Sequence, residues 1–339
     1  PALAVAPLCI AALAAGRVSL RAAHHAFALG YEIAARAGEI WRIRPGMHVD
    51  GSWHALGAAA AAARLAGGDA AEVARAVRLT ACQIPFALYA PIAAGMDGRN
   101  SYPAHAVLLG VMAAAAARAG MDAPAHGLPE ARRIALLHEA PATRAPAGEW
   151  LITEAYIKPF AGVRHAHYAA AAALALRASI ADRLDDISAL RLETYAEALR
   201  YAANRAPTRA IQAQFSLSWA VAAALMQGDL GPAAYTEAAL ADPALRRLEA
   251  LAELSEDTAL TKAEQRGARL VVTLADGETH HASIGAMAGD PGQALNAEAV
   301  LAKCQRFAGP VIGDAAMARL AALILAEDGA VPRDFFEAA

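Results

Sequence analysis

A mainly α fold with a smaller α+β domain is what this 339-residue chain predicts, and three observations carry that expectation. The first is an alanine-rich stretch from Pro1 to about residue 125, because alanine has the best helix propensity and its small side chain lets helices pack closely. The second is composition, 57% hydrophobic against 19% charged, which implies extensive burial and many helices covered on more than one face. The third is the confinement of strand signals to the region after residue 150.

In order, Pro1–Gly16 is an uncharged apolar run, short for a bilayer span and without a preceding basic region, so it reads as a buried helix. Breaks are expected at Gly16, Gly38, Pro45-Gly46, Gly67-Gly68 and Gly120, with a connection over 124–148 that holds one short helix near Glu130–His138. Strands are expected over Trp150–Lys158 and Ile187–Tyr195. Asp276-Gly277 marks the turn of a hairpin within 268–284. Helices are expected over Ala166–Ser179 and Ser216–Met226. The tail from Asn296 returns to helical periodicity, with Asn296 as N-cap and Glu298 in the first turn. The expected organisation is therefore a helical domain over 1–149, an α+β domain over 150–292, and C-terminal helices over 293–339 that return to the helical domain.

A formal charge of −3, with no basic run interleaved with aromatics, argues against nucleic acid and against anionic membranes as partners. Cys9, Cys82 and Cys304 are far apart and lack CxxC spacing, which argues against an iron–sulfur cluster, a zinc site and a disulfide framework. No metal or other cofactor is expected, and a reducing cytoplasm fits best.

The densest chemistry lies in Gly46-Met47-His48-Val49-Asp50-Gly51-Ser52-Trp53-His54, which puts imidazoles, a carboxylate and a hydroxyl at the glycine-punctuated entrance to an alanine-rich helix. Four further blocks lie along the chain, one before this stretch and three after it. They are Gly30-Tyr31-Glu32 with Arg36 (preceded by Pro1-Ala2-Leu3), Lys158-Pro159-Phe160 with Arg164 and His167, Pro207-Thr208 with Gln214-Phe215-Ser216, and Asp276-Gly277 with Gly289 and Lys303. Together these blocks resemble the MmgE/PrpD family, whose characterised members include 2-methylcitrate dehydratase, cis-aconitate decarboxylase and iminodisuccinate epimerase. The resemblance implies an all-helical domain plus an α+β lid-like domain, and a homodimer.

The resemblance also implies a cofactor-independent lyase or isomerase that abstracts a proton next to a carboxylate of a small di- or tricarboxylate. Such chemistry needs a base, a group to assist the departing hydroxyl or return a proton, and cations to hold the carboxylates. By motif position His48 and Lys158 are the expected catalytic residues. Arg99, Arg164, His167, Ser52, Tyr102 and Gln214 are the expected substrate-binding residues.

Departures from the family pattern bear on this reading. Arg99 stands where a lysine is usual and keeps the cation without a titratable proton, and Ala104 replaces a glycine. Tyr102 and His105 are candidate proton carriers there, although a packed tyrosine and a surface histidine are the simpler readings. Asp50 replaces a threonine and either tunes His48, repels a polyanion or caps the helix; Ser216 is a binding candidate, and His165 reads as structural. The family's long N-terminal stretch, with an Asp-rich motif and a His-Pro histidine, has no counterpart before Pro1, so the chain is expected to lack that segment. A catalytically inactive or truncated member acting as a binding or structural subunit is the alternative.

Overall fold

The computed structural model describes residues 1–138 and 144–326. It divides into two compact units, one formed by Pro1–Ala155 with Ala308–Ala339, the other by Tyr156–Phe307. The fold is mainly helical, with one four-stranded mixed sheet among the described residues.

In the first unit α1 (Ala2–Ala14), α2 (Leu20–Ile40), α3 (His54–Leu65), α4 (Ala70–Ala81), the single turn α5 (Ala90–Ala93), α6 (Tyr102–Arg118) and α7 (Gly127–Leu136) follow one another. Ser19 and Asp69 cap α2 and α4, their side-chain oxygens accepting the N–H groups of Ala22 and Glu72 at 3.2 and 2.8 Å. Helix α3 packs on α1, α2, α4 and α6 and is buried at every position from His54 to Ala61. The closest approach is at Gly30 of α2 and Gly57 of α3, where a Cβ on Gly57 would lie 2.2 Å from the Gly30 carbonyl oxygen.

Several sequence expectations need correction here. Gly38 does not break a helix but lies inside α2, where the absence of a side chain admits the Trp53 ring. Helix α1 is not buried all round: Ala4, Val5 and Cys9 are covered, whereas Leu3 and Ile10 are more than half exposed. The strand expected over 150–158 is absent; Leu151–Glu154 forms a short 3-10 turn with no ladder partner. It is held instead by α2, because the buried Glu32 carboxylate accepts the Ile152 N–H at 3.2 Å and pairs with Arg36 at 2.7 Å. Arg36 in turn donates to the carbonyls of Ala145, Pro146 and Glu149, which ties the connection back to the helix that carries the Gly-Tyr-Glu block.

The second unit opens with α8 (His167–Ile180) and continues through β1 (Ile187–Thr194), α9 (Ala196–Ala202), α10 (Ala210–Gln214), α11 (Leu217–Gln227), α12 (Glu237–Ala241), α13 (Pro243–Leu251), β2 (Ala252–Glu256), α14 (Thr258–Lys262), β3 (Ala268–Leu274) and β4 (Thr279–Ile284). The sheet order is β2-β1-β3-β4, with β1 and β2 parallel and the other pairs antiparallel. Strand β2 was not foreseen; its parallel pairing with β1, Leu190 opposite Ala252, requires the long helical crossover between them. In β3 Ala268, Leu270, Val272 and Leu274 alternate inward and join Trp219 and Leu225 of α11 in one core that α8 completes. The hairpin turns at Asp276-Gly277 with Gly277 at φ +88°, as the sequence predicts. Helices α15 (Ala297–Ile312) and α16 (Asp314–Leu325) close the described chain, with the Asn296 carboxamide oxygen accepting the Ala299 N–H at 2.9 Å.

Replacing Gly57 by alanine is expected to destabilise the protein by about 1–3 kcal/mol, because the new methyl must displace the α2 backbone. Urea unfolding of Gly57→Ala beside Gly46→Ala, whose Cβ would meet open space, separates this contact from a generic glycine effect, although φ +88° adds strain at Gly46. Equal midpoints for Gly57→Ala and wild type would contradict the close crossing.

Candidate active site

In the first unit the loop before α3 is fastened to residues 87–89 by backbone bonds, the His48 N–H to the Ala87 carbonyl and the Tyr89 N–H to the Gly46 carbonyl, both 2.9 Å. This holds the His48 ring near-parallel to Tyr89, centroids 6.1 Å apart, and 6.0 Å from Tyr102. Asp50 lies between His48 and Arg99: its carboxylate accepts from Arg99 Nη1 at 2.9 Å and stands 3.9 Å from His48 Nδ1. The Asp50 backbone N–H donates to His48 Nδ1 at 3.0 Å. That bond fixes the tautomer, because an accepting Nδ1 leaves the neutral ring's proton on Nε2. Burial lowers the His48 pKa, opposed by Asp50 and reinforced by Arg99, so the neutral ring is favoured.

The structure therefore brings His48, Arg99 and Tyr102 together with Asp50, and it assigns Asp50 to tuning and pairing rather than to capping. Helix α3 begins without a side-chain cap. Ser52 is fully buried and its hydroxyl donates to the Val49 carbonyl at 2.7 Å, which closes a turn ahead of α3. Tyr102 donates its phenol to the Leu88 carbonyl at 3.0 Å, and His105 is exposed. His54, at the first position of α3, is a second buried imidazole whose Nδ1 has no hydrogen-bond partner among the described residues.

In the second unit a tight run from Lys158 to Tyr168 carries the other candidates. Lys158 does not end a strand; it follows the 3-10 turn in extended chain and its Nζ donates to the Gly162 carbonyl at 3.3 Å. The Gln214 carbonyl accepts the Val163 N–H at 2.9 Å, so Gln214 supports the backbone next to Arg164 through its main chain. Ser216 is fully buried and caps α11, accepting the Trp219 N–H at 3.1 Å.

Arg164, 5% exposed, lies against the rings of Tyr156 and Tyr168 at 5.1 and 5.0 Å. Its Nη2 pairs with the Asp290 carboxylate and reaches the Tyr168 hydroxyl at 3.3 Å, while Nε and Nη1 have no hydrogen-bond partner among the described residues. His167, wholly buried at the start of α8, packs edge-on against Phe160 and has both ring nitrogens unbonded; the Gly162 main chain lies near without completing a hydrogen bond. Buried polar atoms are normally satisfied, so this concentration of unsatisfied nitrogens marks a place built for a polar partner. Burial first, then the charges of Arg164 and Lys158, push the His167 pKa down to about 3. His165 has its Nδ1 hydrogen-bonded to the buried Tyr195 hydroxyl at 2.7 Å, and burial followed by Arg266 and Lys158 lowers it to about 4.

Sequence reading missed Asp290, Tyr168 and Tyr195, as well as Tyr89 behind His48. Asp290 lies 126 positions from Arg164, and only its place after Gly289 hinted at it. Among the described residues no group of three or more His, Cys, Asp or Glu side chains is arranged to hold a metal. No helix among them is long and apolar enough to cross a membrane.

The protein is mainly α with an α+β second unit, and its buried polar side chains include His54, His167 and Arg164. The MmgE/PrpD N-terminal domain matches residues 1–135 and the MmgE/PrpD C-terminal domain matches residues 160–327. The chain belongs to the MmgE/PrpD family, which includes lyases and related enzymes. The N-terminal match starts at residue 1, so the expectation of a missing family N-terminal segment finds no support. No curated protein matches the chain.

The depressed histidines make stability pH-dependent. An unfolded histidine titrates near 6.5, so below that pH the unfolded chain binds protons that neutral His165 and His167 refuse. Their contribution is complete above about pH 6.5 and is lost as pH falls toward the folded values, at about 1.4 kcal/mol per pH unit for each ring. Urea midpoints at pH 7 and pH 5 should differ less in His167→Phe than in wild type; an unchanged difference would show that His167 charges readily in the folded state.

Proposed function

We propose that the chain is a cofactor-independent lyase or isomerase that acts by proton transfer on a small di- or tricarboxylate. The observation that carries this reading is the set of buried, unsatisfied nitrogens of Arg164 and His167 beside Lys158, a buried cationic cluster whose open donors an anionic oxygen would complete. A guanidinium holds a carboxylate by charge-assisted bonds, and burial strengthens them. In this proposal Arg164 and His167 bind a carboxylate in the second unit. Arg99, oriented by Asp50, supplies a second cation in the first unit.

Proton transfer is assigned to His48 and Lys158. With Nδ1 engaged by the Asp50 N–H, neutral His48 carries its proton on Nε2, which suits hydrogen-bond donation to charge that develops on a substrate oxygen. The α-proton is then assigned to Lys158 as its neutral amine: the resting ammonium first releases its proton to solvent, and the amine that remains takes the α-proton and becomes the ammonium again. Dehydration, decarboxylation and epimerisation share the resulting carbanion-like step, so the family position and the site chemistry support the class rather than one outcome. The homodimer and a cytoplasmic location belong to this proposal, as does a tricarboxylate such as a 2-methylcitrate-like acid as substrate. The inactive or structural alternative has its footing in Asp50, which already occupies Arg99.

Proton NMR in deuterated water with 2-methylcitrate, citrate, cis-aconitate, tartrate and iminodisuccinate tests the proposal directly. Exchange or turnover at an α-carbon of one acid is expected. His48→Ala and Lys158→Ala should each lower it by a factor of about 100 or more, the scale of a lost acid/base or oxyanion group. Silence across the panel from folded wild-type protein would favour the inactive reading.

A further inference from the structure

Two cations of the second unit are set by one dipeptide. The Gly289 carbonyl accepts the Ile157 N–H at 2.8 Å, which anchors the backbone directly before Lys158. Gly289 has φ +90°, and a Cβ there would fall 2.0 Å from the Ile157 carbonyl oxygen, so the two strands of chain touch backbone to backbone. The next residue, Asp290, pairs with Arg164 Nη2 through one oxygen and accepts from the Tyr168 hydroxyl through the other at 3.3 Å. Its loop is stiff: the Asp290 N–H bonds to the Met287 carbonyl at 3.2 Å, the Gln293 N–H to the Asp290 carbonyl at 2.8 Å, the Gly289 N–H to the Gln293 carbonyl at 2.7 Å, and Met287 is buried.

The geometry points to Gly289-Asp290 as the positioning element of the site. Asp290 fastens one nitrogen of Arg164 so that Nε and Nη1 stay presented to a ligand carboxylate, and Gly289 fixes where Lys158 leaves the backbone. The inference rests on the reading of Arg164 as carboxylate holder and Lys158 as proton-transfer group.

A competing view would make the Asp290 carboxylate an occupant that substrate must displace. The two unsatisfied nitrogens decide against it, because the guanidinium still offers donors while Asp290 is in place. Asp290 is also held through its other oxygen by Tyr168, which a displaceable group would not need. The side chain of Asp290 is 26% exposed against 6% for Arg164, so the carboxylate lies nearer the surface than the buried cation. A salt link of that kind orients the fork at the cost of part of its charge.

The test is Asp290→Asn, which keeps an oxygen for Tyr168 and removes the charge. On whichever acid wild type turns over, KM is expected to rise about tenfold or more, with a smaller change in kcat, the signature of lost ligand orientation. Asp290→Glu, which restores the charge on a longer arm, is expected to recover part of that loss. Gly289→Ala should instead lower kcat through Lys158. A KM for Asp290→Asn below that of wild type, as removal of a competing carboxylate would give, overturns the inference.

A second readout does not depend on any substrate. In ¹⁵N-edited spectra of wild type, the Arg164 guanidinium N–H signals should be resolved and slow to exchange with water, and in Asp290→Asn they should merge. Unchanged Arg164 signals in Asp290→Asn overturn the positioning role even if every acid in the panel is inert, whereas merged signals with an inert panel support it and count against the catalytic reading alone.

Discussion

Helix α3 can be covered on every side because its side chains from Ala55 to Ala61 are methyl groups or a hydrogen, with Leu56 the one larger member. Four helices then approach its backbone closely, and at Gly30 and Gly57 backbone meets backbone. Such packing recovers dispersion energy through many short contacts instead of a few large side chains, and it leaves little room for alternative arrangements. The loop that carries His48, Asp50 and Ser52 enters α3 from this fixed base, so the position of the imidazole is inherited from the alanine core. A larger residue in the core would move the site without touching it.

The second unit uses a different constraint. Its core is conventional, with alternating inward residues of β1 and β3 under α8 and α11, and Trp219 wholly buried with its Nε1 donating to the Ala234 carbonyl. What is unusual is the polar cluster at the start of α8. A buried guanidinium is tolerated when a carboxylate and aromatic faces replace water, and Arg164 has both. The price falls on the imidazoles nearby, which remain neutral because burial and adjacent positive charge both oppose a further proton.

Much of this was legible in the sequence, for reasons that differ by element. The hairpin around Asp276-Gly277, strand β1, helix α8 and the Asn296 cap carry local signals: a turn dipeptide, alternation, alanine periodicity and an Asn before a helix. Where the signal is local but the cause is tertiary, the reading failed. Gly38 looks like a break and is a socket for Trp53, and 150–158 has strand-like composition with no neighbour to pair with. Strand β2 is a five-residue segment that becomes a strand only because β1 offers it an edge. The motif histidines and cations could be named from pattern, but their partners could not. Asp290 is far from Arg164 in sequence, and the hydrogen bond that sets the His48 tautomer comes from a backbone N–H that no side-chain pattern encodes.

Each unit has arrived at the same electrostatic arrangement from unrelated elements: a guanidinium joined to one aspartate, beside an imidazole kept neutral. In the first unit it is Arg99, Asp50 and His48, and in the second Arg164, Asp290 and His167. The aspartate holds a cation that is buried in the second unit and half-buried in the first, so its orientation is settled before any ligand arrives. Burial first, with the guanidinium as a lesser contribution, keeps the neighbouring imidazole uncharged near neutral pH, where a free ring would be partly protonated. Positive charge in each cluster is thereby fixed on a group that does not titrate, while the imidazole remains a neutral hydrogen-bonding group. In the reaction proposed above that separation matters, since a ring that had to neutralise a substrate's charge would hold its proton too tightly to exchange it.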